Sequence, residues 1–399
     1  MCCGSYWLKP SEALPRTGPA GTVSMEDRYL ALSARVITRC DREHAADAVL
    51  RAELQAAKAL SREGSRVVAQ AVFSFFRWFG WLEGNASLAT RIAAALRYSE
   101  QYREHAASFA DLELLAKAVP CWVGRCMVVS PEWARALQGE PVRWLRARPA
   151  QGQALARALG DCVACAGPLS DTLEYRGGAD LYRTPQFQAG EFELQDLSSQ
   201  AVGWLCDPQP GEAWWDACAG EGGKLLHLSD LLRNRGLIWA SDRAAWRLQK
   251  LKRRATRARV FNYRIAPWDG GAKRPTRTRF DGVLVDAPCS GLGTWQRNPH
   301  ARWTTTPGDV AELSAVQTDL LAHAGPAVKP GGKLVYAVCT LTHAETTDVA
   351  DTFERQHPEF SPLPLSNPLA PGAGAASRVW FWPQDHRGNG MFVAAWRRG

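Results

Sequence analysis

The chain has 399 residues, of which 46% are hydrophobic and 22% charged, with a net charge of +8 and a pI near 9.0. This composition is typical of a globular protein with two or three domains. It contains no run of about 18 apolar residues, so we expect neither a membrane span nor a membrane partner. The basic balance favours a polyanionic partner, although net charge alone is a weak signal.

The first 24 residues are rich in Gly, Pro, Ser and Thr and lack the apolar core of a signal peptide. We predict a disordered tail at 1–24, with Met25 as a candidate start. The eleven cysteines are scattered and odd in number, which predicts free thiols in a reducing cytoplasm. Cys162 and Cys165 form a lone Cys-x-x-Cys with no second pair nearby, so we predict no metal site.

Residues 25–117 predict an all-helical domain. From Val67 to Leu82, apolar residues recur every three or four positions, which is typical of a core helix in a bundle. Similar patterns flank this stretch and are interrupted at Gly64 and Gly84. The domain is either a helical docking domain or an RNA-binding module. Its arginines alternate with acids, so the charge pattern does not distinguish the two.

Residues 118–205 predict a small α+β subdomain that binds RNA. A short strand, a helix that ends at Gly160 and further strands precede a helix that begins near Asp196. Arg143 and Arg146 are candidate phosphate contacts, or else they form the solvent face of an edge strand.

Residues 206–399 alternate strands with helices, which predicts a mostly parallel, doubly wound α/β sheet. The predicted strands are GEAWWDA, LIWASD, RVFNYRI, FDGVLVDAP, GGKLVYAVCTL and GMFVAAWRR. In such a sheet, ligands bind beyond the carboxyl ends of the strands. The residues that follow the strands are therefore the candidate site.

The turn after the first of these strands is rich in glycine, at Gly220, Gly222 and Gly223. Glycines let the backbone approach a ligand closely, and the start of the next helix supplies free N–H groups. The turn has neither the G-K-[ST] ending of a phosphate loop nor the G-x-G-x-x-G spacing. The second strand ends at Asp242, where an acid commonly binds ribose hydroxyls, although it could instead cap a helix. Together these features indicate a nucleoside cofactor without phosphates, such as S-adenosyl-L-methionine.

The helix after Asp242 is strongly basic over residues 243–259, and further cations follow at 273–279. A run of cations is usually the solvated face of a helix. This density beside a ligand-binding edge fits contacts to a phosphate backbone equally well.

Two cysteines follow predicted strands: Cys289, after Asp286-Ala-Pro, and Cys339. A cysteine in such a place is often a small buried residue, but two at one ligand edge indicate chemistry. Carbon 5 of a pyrimidine is a poor nucleophile, whereas a thiolate that adds to carbon 6 produces an enamine able to attack a methyl sulfonium. A base then removes the carbon 5 proton so that the thiol can leave. Cys339, Cys289 and Asp286 supply the groups that this reaction needs.

These residues resemble the RNA 5-methylcytosine methyltransferases, the family of bacterial 16S ribosomal RNA methyltransferase B and its Nop2/Sun relatives. The resemblance covers roughly residues 141–399 and rests on DAPCSGLGTWQRNP, PGGKLVYAVCTLTHAE and FQAGEFELQDLSSQ. It implies a Rossmann-like S-adenosylmethionine-dependent methyltransferase domain at 206–399. The helical residues 25–117 are similar in length and position to the NusB-like domain of the bacterial member.

The resemblance also implies roles for single residues. Cys339 matches the nucleophile, Cys289 the cysteine that helps to release the product, and Asp286 a contact to the target base near the cofactor. Lys224 is expected near the active site, and a cation at a helix start, unfavourable to the helix dipole, supports a functional role. The implied cofactor-binding positions are Cys218, Ala219, Gly220, Glu221, Gly222, Gly223, Lys224, Asp242, Asp269 and Asp286.

The chain departs from the family pattern in three places. Glu221 stands where the family usually has Pro, Val338 and Thr340 flank Cys339 where the family usually reads Thr-Cys-Ser, and Thr346 replaces the usual Asn. None of these changes removes a reacting group.

Alternatives differ in nucleophile, reaction and substrate. DNA cytosine-5 methyltransferases use the cysteine of a Pro-Cys dipeptide, which would make Cys289 the nucleophile, but the flanking motifs favour Cys339. An N-methyltransferase would need an Asn/Asp-Pro-Pro-aromatic sequence that APCS does not supply. A non-catalytic RNA-binding factor of ribosome assembly is the alternative to an enzyme. We expect a cytoplasmic monomer acting on ribosomal RNA, with tRNA as the alternative substrate.

Overall fold

A computed structural model of the chain describes residues 25–57 and 60–399. The tail predicted at 1–24 lies outside the described residues. The chain divides into two compact units. The helical unit ends at Glu140 and also includes the segment Trp295–Thr306, and the α/β unit comprises Pro141–Thr294 and Pro307–Gly399.

The described chain forms α-helices and β-strands in the following order. The helices are α1 (Met25–Thr38), α2 (Ala46–Ala56), α3 (Arg62–Arg77), α4 (Leu88–His105), α5 (Asp111–Lys117), α6 (Pro131–Gln138), α7 (Gly152–Leu159), α8 (Pro185–Gln188), α9 (Leu197–Cys206), α10 (Gly223–Leu231), α11 (Ala245–Arg257), α12 (Ala301–Thr304), α13 (Pro307–Ala324), α14 (Thr347–Gln356) and α15 (Pro383–His386). The strands are β1 (Arg143–Ala147), β2 (Cys162–Ala164), β3 (Thr172–Tyr175), β4 (Phe192–Leu194), β5 (Ala213–Asp216), β6 (Leu237–Ala240), β7 (Tyr263–Ile265), β8 (Phe280–Asp286), β9 (Val328–Val338), β10 (Phe360–Pro362), β11 (Arg378–Phe381) and β12 (Met391–Arg398). Within 25–57 and 60–399, no helix is both long enough and apolar enough to cross a membrane.

Helix α3 is the core helix that the apolar spacing predicts, and it buries Val68, Val72 and Phe75. Gly64, expected to interrupt the pattern, instead lies in the first turn of α3, where a Cβ atom would meet the Tyr29 ring. The helix begins after Ser61, whose side chain accepts a hydrogen bond from Gly64 N and so satisfies a free N–H group of the first turn.

The helical unit continues beyond residue 117, where the sequence placed the end of the helical domain. Helix α6 begins after Ser130, which caps it, and the unit ends only at Glu140. Trp133 and Leu137 of α6 are fully buried, so these residues belong to the helical core and not to an α+β fold.

The segment Trp295–Thr306 completes the core of the helical unit. Arg302 is fully buried, and its guanidinium donates to the carbonyl oxygens of Arg77 (3.3 Å), Ala118 (2.9 Å) and Leu137 (2.9 Å). These carbonyls lie at the carboxyl ends of α3, α5 and α6, where the last C=O groups lack helical partners and the helix dipole is negative. One buried cation therefore caps three helices.

In the α/β unit, the first sheet is antiparallel with strand order β2-β3-β1-β4. Gly160 ends α7 with a φ of 64°, and Asp196 caps α9, as the sequence predicts. The two interpretations of Arg146 were both wrong, because β1 is a central strand and Arg146 is buried in an ion pair with Asp230. Arg143 donates to a backbone carbonyl of its own subdomain, that of Gly177.

The second sheet has the order β10-β12-β9-β8-β5-β6-β7, with β11 paired to β12. Strands β5 to β9 run parallel and β12 is antiparallel to β9, so the predicted doubly wound α/β fold is confirmed. The carboxyl ends of β5, β6, β8 and β9 meet at one edge, which positions the candidate site.

Candidate active site

The glycine-rich turn links β5 to α10 and requires its glycines. Gly220 and Gly222 have φ values of 52° and 90°, in the left-handed region that favours glycine. A Cβ atom on Gly222 would lie 2.8 Å from Leu251 Cγ, which leaves no room for a side chain. The turn is therefore a tight backbone cradle that ends at the amino terminus of α10.

Asp242 follows β6 and is 7% exposed. Its Oδ2 accepts a hydrogen bond from Gly220 N (3.0 Å), and its Oδ1 accepts one from Ala244 N (2.7 Å) at the start of α11. Arg247 Nη1 lies 3.4 Å from Oδ2. Asp242 thus fastens the glycine turn and stabilises the turn that precedes α11, and its contact with a ribose stays a prediction.

Glu221, where the chain departs from the family pattern, faces the basic helix. Lys250 Nζ lies 2.8 Å from Glu221 Oε1, and Arg254 Nη1 donates to the Glu221 carbonyl (3.1 Å). The added carboxylate is therefore neutralised by α11, which leaves the backbone of the cradle intact.

Asp216, at the end of β5, is a site residue that the sequence reasoning missed. Its side chain is fully buried, and neither oxygen has a hydrogen bond of normal geometry within the described chain. Burial, and then the charge of Asp286, raise the pKa of Asp216 to about 8. A buried acceptor with unused oxygens beside a glycine cradle fits a nucleoside cofactor that carries amino groups. The sequence contains a signal for this residue, because Asp216 closes one strand and Asp242 follows the next.

Lys224 and Asp286 form an ion pair at the same edge, with 2.7 Å between Nζ and Oδ2. Burial alone would lower the pKa of Lys224, but the charge and hydrogen bond of Asp286 raise it overall. The unfavourable position of this cation at the start of α10 is thereby offset by a carboxylate from β8.

The two cysteines lie side by side because β8 and β9 are adjacent parallel strands, with Asp286 opposite Ala337. The Sγ atoms of Cys289 and Cys339 are 3.1 Å apart, and both residues are half-buried. They are close enough to share one proton in a hydrogen bond.

Their neighbours give the two thiols opposite pKa shifts. The hydrogen bond with Cys289 is the largest effect and lowers the pKa of Cys339, against burial and the charge of Asp286, and the charge of Lys224 adds to the lowering. The same hydrogen bond, burial and the charge of Glu345 raise the pKa of Cys289. These shifts favour Cys289 as the donor and give Cys339 the more thiolate character.

Glu345 is a second residue whose place in the site was missed, although its offset from Cys339 is part of the motif. It is fully buried and accepts hydrogen bonds from Ser290 N (2.8 Å), Ser290 Oγ, Gln317 Nε2 (3.1 Å), Thr340 Oγ1 (3.1 Å) and Thr342 Oγ1 (2.9 Å). Ser290 and Thr340 each directly follow one of the two cysteines. One carboxylate thus fastens both cysteine-bearing loops.

A second layer supports this carboxylate. Gln317 Nε2 also donates to Pro288 O (2.9 Å), and the Tyr336 hydroxyl lies within hydrogen-bond distance of Gln317 Oε1 (3.0 Å) and Glu345 O (2.7 Å). The loop before Cys289 is therefore held from both sides.

The structure brings together Lys224, Asp286, Cys289 and Cys339, and beside them the glycine turn with Asp242. Within the turn, Cys218 is half-buried, and Ala219 N donates to the carbonyl of Ser241. Asp269 is exposed, and its Oδ1 accepts a hydrogen bond from Gly271 N in its own loop, so its contact with the cofactor stays a prediction.

Comparison with known proteins shows a family to which part of the chain is similar. The family model described as 16S rRNA methyltransferase RsmB/F matches residues 203–397. The probable ribosomal RNA small subunit methyltransferase B of Synechocystis sp. is 38% identical over 222 residues, which cover 54% of this chain and 49% of that protein. The chain spans about half the length of the curated relatives it matches.

Solved structures show the same fold. The crystal structure of PH0851 aligns with a TM-score of 0.74 and 21% identity, covering 94% of this chain and 99% of that one. NSun6 from Pyrococcus horikoshii, solved with the S-adenosylmethionine analogue SFG, aligns with a TM-score of 0.60 and 20% identity, covering 67% and 93%. The predicted Rossmann-like fold is confirmed, and the family model supports the predicted resemblance over residues 203–397. Residues 203–397, which include every candidate site residue, are therefore similar to the 16S rRNA methyltransferase RsmB/F family.

Proposed function

We propose that the chain is an S-adenosyl-L-methionine-dependent methyltransferase that modifies carbon 5 of cytosine in RNA through a covalent bond to Cys339. The observation that carries the proposal is the pair of thiols 3.1 Å apart, with opposed pKa shifts, beside the Lys224–Asp286 ion pair. Addition to a pyrimidine ring requires a thiolate, and its reversal requires a second group that handles a proton.

In the addition step, the lowered pKa of Cys339 favours the thiolate that attacks carbon 6 of the ring. The new S–C6 bond shifts the electrons of the C5=C6 double bond onto carbon 5. The cofactor supplies the methyl group to this carbon from its sulfonium. Asp286, held by Lys224, contacts the ring near nitrogen 3.

In the release step, the proton leaves carbon 5, the C5=C6 bond re-forms and Cys339 departs as a thiolate. Cys289 is the group proposed to assist. Once Cys339 is bonded to the ring, Cys289 no longer donates to a thiolate, so the largest cause of its raised pKa is removed. Cys289 then becomes a better proton acceptor at the moment when one is needed.

Ribosomal RNA is the proposed substrate. The net charge of +8 and the family match at residues 203–397 support an RNA partner, and several curated relatives are named as ribosomal RNA small subunit methyltransferase B. Sequencing of bisulfite-treated RNA from cells with and without the gene tests the choice: loss of a 5-methylcytosine in ribosomal RNA is expected. Loss in tRNA alone would replace the substrate, and no loss would count against the reaction.

The assignment of the nucleophile is tested with Cys289→Ala and Cys339→Ala proteins incubated with RNA and cofactor. We expect Cys289→Ala to accumulate a covalent protein–RNA adduct, because addition proceeds without release, and Cys339→Ala to form none. The half-buried Cys165 gives a matched control, since Cys165→Ala should turn over like the wild type. The reverse pattern would make Cys289 the nucleophile. A wild-type protein that binds RNA but transfers no methyl group would favour a non-catalytic assembly factor.

A further inference from the structure

The basic helix α11 contains two classes of cation, which the sequence cannot separate. Four of its cations are held by acids: Arg247 by Asp242, Lys250 by Glu221, and both Arg254 and Arg257 by Glu193. The pairs with Glu193 are the most enclosed, since that carboxylate is 4% exposed. Four of the six cations of α11 are therefore already paired with acids of the same unit.

The remaining cations are available to a partner. Arg243, Lys252 and Arg253 are exposed, and none forms an ion pair with a residue in the described part of the chain. Arg253 lies on the side of α11 opposite the buried stripe of Leu248 and Leu251. An exposed cation without a counter-ion suits a phosphate group.

Trp246 stands on the same side of α11, two turns before Arg253, and is 57% exposed. Lys250 Nζ lies 4.7 Å from the centroid of its ring, and the Arg247 guanidinium lies 5.9 Å from it. An exposed indole flanked by cations is the arrangement on which unpaired bases stack while their phosphates are neutralised. We name Trp246, Lys250 and Arg253 the outer face of α11.

The position of this face is set by the sheet. Strand β6 ends at the ligand-binding edge, and α11 begins five residues later, so Trp246 lies at the end of the helix nearest the site. The side chain after Trp246, Arg247, reaches both Asp242 and the neighbourhood of Gly220. A strand held by the outer face therefore passes beside the glycine turn.

We propose that the outer face of α11 binds single-stranded RNA next to the target cytosine, with Trp246 stacked on a base and Arg253 on a phosphate. The inference rests on the proposed function and specifies its substrate as unpaired RNA. A duplex offers no free base face to Trp246, whereas a loop or an opened strand does.

The test measures binding of the full-length protein to a single-stranded RNA oligonucleotide over a range of salt concentrations, without cofactor. We expect Trp246→Ala to raise Kd about tenfold, the loss of one stacked base, with the salt dependence unchanged. Arg253→Glu should also raise Kd and lower the salt slope by about one. Matched controls in the same unit are Phe261→Ala, an aromatic residue 76% exposed just before β7, and Arg235→Glu, an exposed arginine before β6, both at the opposite edge of the sheet.

Wild-type affinity in both variants, or equal weakening in the controls, would overturn the inference. Equal loss of affinity for a fully paired duplex in Trp246→Ala would also overturn it, since stacking needs an unpaired base. Because binding is measured without methyl transfer, a wild-type protein that binds RNA and fails to methylate it refutes the proposed function and leaves this result standing. Conversely, active variants with an unchanged KM for RNA refute this inference alone.

Discussion

Cys289 and Cys339 share a hydrogen bond but not an electrostatic environment. The hydrogen bond is the largest cause of both shifts, since it lowers the pKa of Cys339 and raises that of Cys289. The charge of Lys224 adds to the lowering at Cys339, whereas the charge of Glu345 raises the pKa of both thiols. The opposed shifts place the shared proton mainly on Cys289.

The charge state of Cys339 leads to a prediction about pH. Cys289→Ala removes the donor that lowers the pKa of Cys339, so that pKa should rise towards its ordinary value. A thiol reacts as the thiolate above its pKa, so the pH profile of Cys339 alkylation by iodoacetamide should move to higher pH by about one unit. Lys224→Met should shift it in the same direction. Peptide-resolved mass spectrometry measures the rates, with Cys165 as internal control, and an unmoved profile would contradict the assignment.

Glu345 provides a second prediction for a single residue. Glu345→Gln conserves shape, but its amide presents two N–H donors to hydroxyl and N–H groups that already donate. The cysteine loops should lose their alignment, so we expect kcat to fall at least tenfold with little change in KM for the cofactor. Steady-state kinetics with Glu312→Gln, an exposed residue of α13, as control would reveal this difference. Equal losses in both variants would mean that the loops do not depend on Glu345.

The residues of the site differ in how far the sequence could predict them. Cys289, Cys339 and Asp286 lie at or just after the ends of strands and belong to distinctive motifs, so residue type and position were enough to predict them. Glu345 was missed because its importance lies in its burial and in partners from separate loops. Short-range patterns carry no information about such convergence.

At the scale of an element, the charge of α11 shows the same limit of prediction from the sequence. Its sequence predicts a basic helix, but the acid that binds Arg254 and Arg257 lies 61 and 64 residues away on β4. Helix α3 and the strands β5 to β9 and β12 were predicted correctly because apolar periodicity is a local property, whereas the short strands β10 and β11 were not predicted. The break expected at Gly64 was wrong, since Tyr29 of α1 occupies the space that a side chain would need.

Two acids that bind α11 should differ sharply in their effect on stability. Glu193→Gln leaves two largely buried arginines without their carboxylate, so we expect a loss of about 3 kcal/mol in the free energy of unfolding. Glu221→Gln breaks a pair with Lys250 that is 47% and 38% exposed, so the expected change is below about 1 kcal/mol. Urea unfolding followed by tryptophan fluorescence compares them, and similar losses would show that the Glu193 pairs are no stronger than surface pairs.

On the scale of the whole molecule, two separate segments of the chain form the helical unit. The second segment, Trp295–Thr306, follows the loop that carries Cys289, and its sequence resembles an ordinary polar loop. In a basic protein, Arg302 would be read as a surface cation. Only the fold reveals that it is fully buried among helix carbonyls.

Arg302→Met tests the importance of that burial. Methionine fills much of the space but donates nothing, so the carbonyls at the ends of α3, α5 and α6 lose their partner. We expect a loss of about 3 kcal/mol, because several buried acceptors are left unsatisfied at once. Arg62→Met, at an exposed position of the same unit, is the control in urea unfolding. A loss below 1 kcal/mol would show that Arg302 is not a structural cap.

The buried arginine also imposes an order on folding during synthesis. Helices α1 to α6 are translated more than 150 residues before Trp295–Thr306. At about 5–20 residues per second, the nascent helices wait on the order of ten seconds without their cap. During this interval their carbonyls and the cleft for Arg302 are exposed to chaperones and proteases. Ribosome-bound chains stalled before residue 295 should be cut readily within 25–140, and chains stalled well past 306 should resist.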